Sequence, residues 1–282
     1  MSKNFELLER AQSLLQRTAL FAATAASTPV NGREAPVFPR DQYGDEENID
    51  IAGDQQSDVA GDQESTVMPK LPCAELSSAE KREFLKLVSG LFRPSDPKAP
   101  RAVAVAGVND HSSSAHVVAC TGELLAEQVP EAVCVIDLDF HSGDLHRHFG
   151  LARGEGFSEA LKRPGSMRNY CKRIMGNLWV LSSGSSVDQD GLGRDRLHAR
   201  LAELREEFGY CLLVVPPIGN SGETLFLGRM IDGVLLVLEA NTTRRDSAVA
   251  AVEMLANAHV PVLGSVLKNR TFPIPQSVYE KL

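Results

Sequence analysis

Residues 101–151 read RAVAVAGVNDHSSSAHVVACTGELLAEQVPEAVCVIDLDFHSGDLHRHFGL. The apolar run Ala102–Gly107 predicts a buried strand, and the alanine-rich stretch 115–128 after the polar loop predicts a helix. A second apolar run at 133–140 predicts another strand, which carries Asp137 and Asp139 near its end. This order of strand, loop, helix and strand predicts a βαβ unit with two parallel strands.

The loop of this unit is typical of a P-loop nucleotide-binding domain in its position but not in its residues. Such a loop needs glycines for close backbone approach, a lysine for the phosphate charge and a Ser/Thr hydroxyl for Mg²⁺. Read as G-x-x-x-x-G-K-[ST], the loop keeps Gly107 and Ser114 but has Ser112 and Ser113 in place of the second glycine and the lysine. The sequence favours an exposed loop at Ser112–Ser114 over a backbone nest for an anion. We interpret the whole unit as a nucleotide-binding fold that has lost its phosphate-binding side chains.

The rest of the core alternates apolar runs with helical stretches. We expect strands at 179–182, 210–217, 233–241 and 260–267, and helices at Arg194–Glu207, Gly222–Met230 and Thr243–Ala258, the last capped by Thr242 or Thr243. This alternation predicts a doubly wound, mainly parallel α/β sheet. Ligands of such sheets bind at the carboxyl ends of the strands. These ends lie at Gly107, Asp137 and Asp139, Pro216 and Pro217, Asn241, and Asn269.

The chain outside this core divides into three parts. Residues 1–22 predict an amphipathic helix, which either packs on its own domain or docks on a partner. Residues 23–71 are polar and acidic, contain the tandem octads DIAGDQQS and DVAGDQES, and predict a disordered linker. Residues 72–98 predict a leading helix, Ala79–Phe92, that opens with a capping box from Ser77 to Glu80. The α/β domain occupies residues 99–282.

Charge and cysteine content narrow the classes of function. The formal net charge is −8, and the nine acidic residues between Asp41 and Glu64 account for all of it, so no basic face for nucleic acid is expected. The five cysteines form no C-x-x-C pair and predict reduced thiols in a cytoplasmic protein. The sequence pattern predicts neither a secretory leader nor a membrane-spanning helix.

Histidine and aspartate residues cluster between positions 137 and 148 and raise the question of a metal site. The histidines follow an H-x₄-H-x-H spacing, which matches no standard ligand set, so we expect no metal there. The residues concerned are His141, His146 and His148 with Asp137, Asp139 and Asp144.

Several segments of residues 76–282 resemble the cytoplasmic bacterial tyrosine autokinases of capsule and exopolysaccharide synthesis, which are relatives of the partition and septum-site ATPases. The segments are IDLDFHSGDLHRHFGL (136–151), NLWVLSSGS (177–185), LAELREEFGYCLLVVPP (201–217), MIDGVLLVLEANTTRR (230–245), VLGSVL (262–267) and RTFPIP (270–275). The resemblance implies a P-loop NTPase fold with a deviant Walker A motif. It also implies a site for ATP and Mg²⁺, which Gly107, Ser112, Ser113, Ser114, Asp137, Asp139 and Asn269 would face.

The sequence departs from the family where the family carries its chemistry. The Walker A lysine has no equivalent, and Val214 stands where the Walker B strand has aspartate. Segment 136–151 resembles the family's second acidic motif and keeps its aspartates as Asp137 and Asp139, but His141 stands in place of a basic residue and Gly143 in place of a proline. Asn269 comes one position later than the family's adenine-reading asparagine. The C-terminal tyrosine cluster is missing, since only Tyr279 lies near the end.

These departures predict a chain without catalytic residues or cofactors that works as a regulatory or scaffolding member of the family. The resemblance implies a membrane chain-length (co-polymerase) protein or a sister tyrosine kinase as partner, self-association, and recruitment from the cytoplasm to the inner face of the membrane. One alternative is an active autokinase that binds ATP and Mg²⁺ through an unconventional loop, which Lys268 or Arg153 would support by reaching the phosphate site. A weaker alternative is a partition-type positioning ATPase.

Overall fold

Seven strands form a single sheet in the computed structural model, which describes residues 70–94, 96–109, 114–185, 193–219 and 222–270. The strands are β1 (Ala102–Gly107), β2 (Val133–Asp137), β3 (Lys172–Met175), β4 (Leu178–Leu181), β5 (Tyr210–Val215), β6 (Gly233–Glu239) and β7 (Val262–Lys268). Their order across the sheet is β3-β4-β2-β5-β1-β6-β7. All neighbouring strands are parallel except β3, which runs antiparallel to β4.

The helices lie between these strands along the chain. They are α1 (Ser78–Leu91), α2 (Ser114–Ala126), α3 (Leu145–His148), α4 (Phe157–Lys162), α5 (Arg194–Glu207), α6 (Glu223–Gly228) and α7 (Arg245–Asn257), with 3₁₀ turns at Pro72–Glu75 and Met167–Tyr170. The predicted doubly wound, mainly parallel α/β fold is confirmed.

Side-chain alternation along the strands divides the core into two layers. Val103 and Val105 of β1 face one layer, which α1 and α2 cover, while Ala104 and Ala106 face the other, which α5 and α7 cover. Every residue of β1 is buried, as expected for a parallel strand with helices on both faces.

The leading helix has the predicted start. Ser77 Oγ accepts a hydrogen bond from Glu80 N at 3.3 Å, and Glu80 Oε2 accepts one from Ser77 N at 2.8 Å. This capping box opens α1, whose Phe84, Leu87 and Val88 are buried in the first core layer.

The structure corrects the predicted start of α7. The helix begins at Arg245 after Arg244, which makes no side-chain cap, so neither Thr242 nor Thr243 is the N-cap. Thr243 Oγ1 instead accepts a hydrogen bond from Glu239 N at 2.9 Å. The hydroxyl therefore closes the turn after β6 and is not placed to cap the helix.

Two strand predictions also need correction. The strand predicted over 133–140 ends at Asp137, because the carboxylates of Asp137 and Asp139 accept hydrogen bonds from the backbone of residues 139–145, as described below. The antiparallel strand β3 was not predicted, since its four residues KRIM show no apolar run.

The predicted helix at 1–22 and most of the linker at 23–71 lie outside the described residues. Within the described ranges, none of the helices combines the length and apolarity that a membrane span requires.

Candidate nucleotide site

Three adjacent strands bring the predicted site residues to one edge of the sheet. β5 lies between β1 and β2, with Asp137 beside Val214 and Val214 beside Val105. Beyond the strand ends, Ile218 N donates to the Gly107 carbonyl at 3.0 Å. This is the crevice in which open α/β sheets bind their ligands.

Only part of the predicted phosphate loop lies in the described residues. Gly107 is the buried last residue of β1, whereas Ser112 and Ser113 lie outside the described ranges. Ser114 is the first residue of α2 and is only 7% exposed. The expectation of an exposed loop is therefore wrong for Ser114, because α2 is buried from its first residue onward.

Asp137 is buried and bonded to the backbone. Its side chain is 0% exposed. Oδ1 accepts a hydrogen bond from Asp139 N and Oδ2 one from Leu145 N, both at 3.1 Å. Burial raises the pKa of Asp137 to about 7, against the lowering effect of these two N–H donors. Since Leu145 begins α3, the carboxyl group ties the end of β2 to the start of that helix.

Asp139 has a similar structural role in the loop that follows. Its Oδ1 accepts from His141 N at 3.1 Å and from Ser142 N at 3.3 Å. Its Oδ2 accepts from Ser142 Oγ at 2.6 Å, and the residue is 8% exposed. Both carboxylates of the second acidic motif are therefore engaged in closing the 137–145 loop.

Apolar packing surrounds the Walker B position. Val214 is 3% exposed in the first core layer and sits directly beside Asp137 in the sheet register. After β5, the Pro216 carbonyl accepts a hydrogen bond from Thr224 Oγ1 at 2.6 Å. An isopropyl group thus stands next to the buried carboxyl of Asp137.

Asn269 links two strand ends. It has a positive φ of 56°, a conformation that asparagine tolerates better than most residues, and its Nδ2 donates to Glu239 Oε1 at 2.6 Å. Burial lowers the pKa of the preceding Lys268, against the raising effect of the charges on Glu239 and Cys120.

Arg153 lies beside the loop after the second acidic motif. Its Nε donates to the Gly184 carbonyl at 3.1 Å, and its Nη2 is 3.5 Å from the position that a Cβ on Gly143 would occupy. Gly143 has a φ of 55°, which proline cannot adopt, so the family's proline does not fit this loop. Sequence reasoning named Arg153 as a candidate cation but could not place it here.

Two buried polar atoms near Gly143 have no hydrogen-bond partner within the described part of the chain. They are Ser183 Oγ, 2.8 Å from the same Cβ position, and His146 Nδ1. Sequence reasoning did not identify Ser183, whose only signal was its place two residues after the end of β4.

The histidines of the H-x₄-H-x-H pattern lie in different environments. His146 is buried, whereas His148 lies beside His116 of α2, with the ring centroids 5.5 Å apart and the rings tilted by 53°. Burial, with the nearby His116 and Lys268, lowers the pKa of His148 to about 4. Among the described residues, no group of His, Cys, Asp or Glu side chains has an arrangement that could hold a metal ion.

Comparison with solved structures identifies the architecture. The kinase domain of the Escherichia coli tyrosine kinase ETK matches with a TM-score of 0.62 and 19% identity, over 70% of this chain and 79% of that domain. The fold is that of the bacterial tyrosine kinase domains. The chimerical protein CapA2B2 matches with a TM-score of 0.64 and 17% identity, over 72% of this chain and 90% of that protein. A ParA family ATPase from Chlorobium tepidum TLS has a TM-score of 0.54 at 12% identity, covering 65% and 79%.

Sequence comparison also gives a bacterial tyrosine kinase. The tyrosine-protein kinase YwqD of Bacillus subtilis (strain 168) is 25% identical over 146 residues, which are 51% of this chain. The match spans 62% of the length of that kinase. No protein-family model matches the chain. The resemblance to bacterial tyrosine autokinases with the fold of the partition and septum-site ATPases is confirmed.

Proposed function

We propose that this chain is a catalytically impaired relative of the tyrosine autokinases of exopolysaccharide biosynthesis and acts as a regulatory or scaffolding partner in polysaccharide export. The observation that carries the proposal is the pair formed by buried Asp137 and its neighbour Val214. The first carboxyl is withdrawn from solvent and engaged by the backbone, and the second is replaced by an apolar side chain.

ATP and Mg²⁺ fit these residues poorly. Mg²⁺ binds hard oxygen ligands and is usually held by carboxylates together with the substrate phosphates. Asp139 is engaged by Ser142 and the loop amides, and Val214 offers no oxygen. Phosphoryl transfer depends almost wholly on positioning and charge, and single contributors such as an arginine finger are worth roughly 10³ to 10⁵ in rate. Loss of both the lysine and the Walker B acid therefore favours a role other than catalysis.

An active autokinase is the second candidate function, and the position of Arg153 favours it. Its guanidinium lies beside Gly143, in the loop that Asp139 closes, where it brings positive charge to the acidic motif. An arginine at this point could contact a phosphate that enters the crevice. In this second function ATP and Mg²⁺ would be the cofactors.

Calorimetric titration of the full chain with ATP in the presence of Mg²⁺ separates the two functions. The catalytically impaired function predicts a dissociation constant for ATP weaker than about 1 mM. The ETK kinase domain serves as the positive control. A micromolar constant would contradict the impaired site. If that micromolar binding is also lost in Arg153→Ala, the active-kinase function is favoured.

The partner-binding role is tested at the N-terminal segment. The predicted helix at 1–22 carries an apolar face with Leu8 and Leu15, which a partner helix or membrane-protein tail could cover. We expect the double variant Leu8→Asp/Leu15→Asp to lose recovery of a membrane chain-length protein or a sister kinase in a pull-down from the native cell. Glu9→Ala, on the polar face, is the matched control. Equal recovery by wild type and the double variant would place the interaction elsewhere.

A further inference from the structure

Two cysteines distant in sequence meet on the face of the sheet covered by α5. Cys134 lies within β2, and Cys171 lies between the 3₁₀ turn Met167–Tyr170 and β3. Their Sγ atoms are 4.0 Å apart, although the residues are 37 positions apart in the chain. Both thiols are free, as are the other three cysteines.

The two thiols differ in their access to solvent. Cys134 is 0% exposed and fixed within the sheet, whereas Cys171 is half-buried at the start of the edge strand. Burial raises the pKa of the Cys134 thiol, and the nearby Arg168 acts in the opposite direction. An oxidant from solvent therefore meets Cys171 first, and Cys134 is the neighbouring thiol that can react with the product.

Formation of a disulfide requires the chain segment that carries Cys171 to shift toward Cys134. A disulfide has an S–S distance of about 2.05 Å, so the sulfurs must approach by roughly 2 Å. Cys134 is held between β4 and β5 on both sides, while Cys171 precedes the four-residue edge strand β3. Hydrogen bonds from Met167 N and Arg168 N to the Glu207 carboxylate anchor the preceding turn and keep Cys171 close to its partner.

We propose that Cys134 and Cys171 form a reversible dithiol–disulfide pair that responds to hydroperoxides. The Cys171 thiolate attacks the hydroperoxide, the O–O bond breaks, and Cys171 becomes a sulfenic acid while water or an alcohol leaves. The Cys134 thiol then attacks the Cys171 sulfur, the S–S bond forms, the S–O bond breaks, and water carries away the oxygen and the thiol proton. The two thiols supply the two electrons that reduce the peroxide, and an external dithiol then reduces the disulfide back to two thiols and is itself oxidised to a disulfide.

The chain contains its own reporter of this reaction. Trp179 is the only tryptophan of the protein, and it lies in β4 directly beside Cys134 in the sheet register. The guanidinium of Arg168 stacks on its ring at 5.1 Å. Because a disulfide quenches tryptophan fluorescence at close range, formation of the bond should lower Trp179 emission.

A second thiol pair provides the competing outcome. Cys73 Sγ donates to the Cys120 carbonyl at 3.5 Å, and Cys120 Sγ lies 3.7 Å from His116 Nε2. Hydrogen bonding with Cys73 and with His116 lowers the pKa of Cys120 to about 6. Both of these thiols are buried, with exposures of 5% and 0%, so we expect them to react more slowly than Cys171.

Treatment of the folded full chain with hydrogen peroxide tests the proposal. We expect the titratable thiols to fall from five to three, a peptide map without reductant to link Cys134 with Cys171, and Trp179 emission to fall and recover with dithiothreitol. Cys171→Ser should abolish the link and the fluorescence change, while Cys73→Ser should keep both. A link between Cys73 and Cys120 in place of this pair would overturn the proposal, as would irreversible oxidation of Cys171 with Cys134 still free.

Discussion

Replacing Asp137 by asparagine should change how stability depends on pH. Burial raises the pKa of Asp137 from 3.8 to about 7 in the folded chain. Between these values the folded state holds a proton that the unfolded state has released, so the free energy of unfolding falls as pH rises from about 4 to about 7. Above pH 7 this contribution to the free energy of unfolding is fully lost. A shift of about three pKa units corresponds to at most about 4 kcal/mol.

Asparagine at position 137 remains neutral over this range. The free energy of unfolding of Asp137→Asn should therefore not fall with pH through this residue. At pH 4.5 we expect Asp137→Asn to be less stable than wild type by about 1–3 kcal/mol, because the amide NH₂ cannot accept from both Leu145 N and Asp139 N. Toward pH 8 the difference should move in favour of the variant by up to about 4 kcal/mol.

Urea unfolding followed by Trp179 fluorescence measures both proteins across pH 4.5–8. The difference between them cancels the titration of groups that they share. Asp144→Asn is the matched control, because it makes the same substitution at a carboxylate whose side chain is 45% exposed and forms a surface ion pair with Arg147. A stability difference between wild type and Asp137→Asn that stays constant from pH 4.5 to 8 would refute the reasoning.

Three further substitutions test local features by urea unfolding at pH 7. Ser77→Ala removes the cap of α1 and should lower the free energy of unfolding by about 1 kcal/mol. An unchanged urea midpoint would show that the cap does not stabilise the fold. Gly122→Ala places a Cβ 2.3 Å from Val135 Cγ1 and should cost about 1–3 kcal/mol, with partial rescue by Val135→Ala as the check on its cause. Glu159→Gln should cost about 1–3 kcal/mol, because the carboxylate accepts from Gly156 N, Ser158 Oγ, Ser185 N and Ser185 Oγ. Despite burial, these bonds lower the pKa of Glu159 to about 2, so its stabilisation should be lost as pH falls from about 4.5 to 2, and Glu159→Gln should lack that loss.

The fold could be predicted because its signals are local. The helix α5 has the bounds Arg194–Glu207 that periodicity predicts, and the apolar runs at β1 and β5 mark buried parallel strands. The position of Val214 could also be predicted, since it lies within an apolar run that the structure shows as the buried strand β5. Local pattern and tertiary packing agree at these positions.

The environment of the candidate site could not be predicted in the same way. The sequence places Asp137 at a strand end, where a ligand-facing acid is expected, but its backbone partner Leu145 depends on how the loop folds back. The position of Arg153 beside Gly143 depends on its bond to Gly184, which is 31 residues away. Such contacts leave no periodic signal, because they depend on the path of loops and not on the face of an element.

The short strand β3 also affects how the protein behaves in concentrated solution. An open sheet edge offers unpaired backbone groups to other chains, and long, flat, apolar edges promote aggregation. This edge has only four residues, exposes Lys172 and Arg173, and has a register irregularity between Arg173 and Met175. Two positive charges and an irregular backbone disfavour the docking of a second chain along this edge. The strand that sequence analysis did not predict therefore protects one side of the sheet against edge-to-edge association.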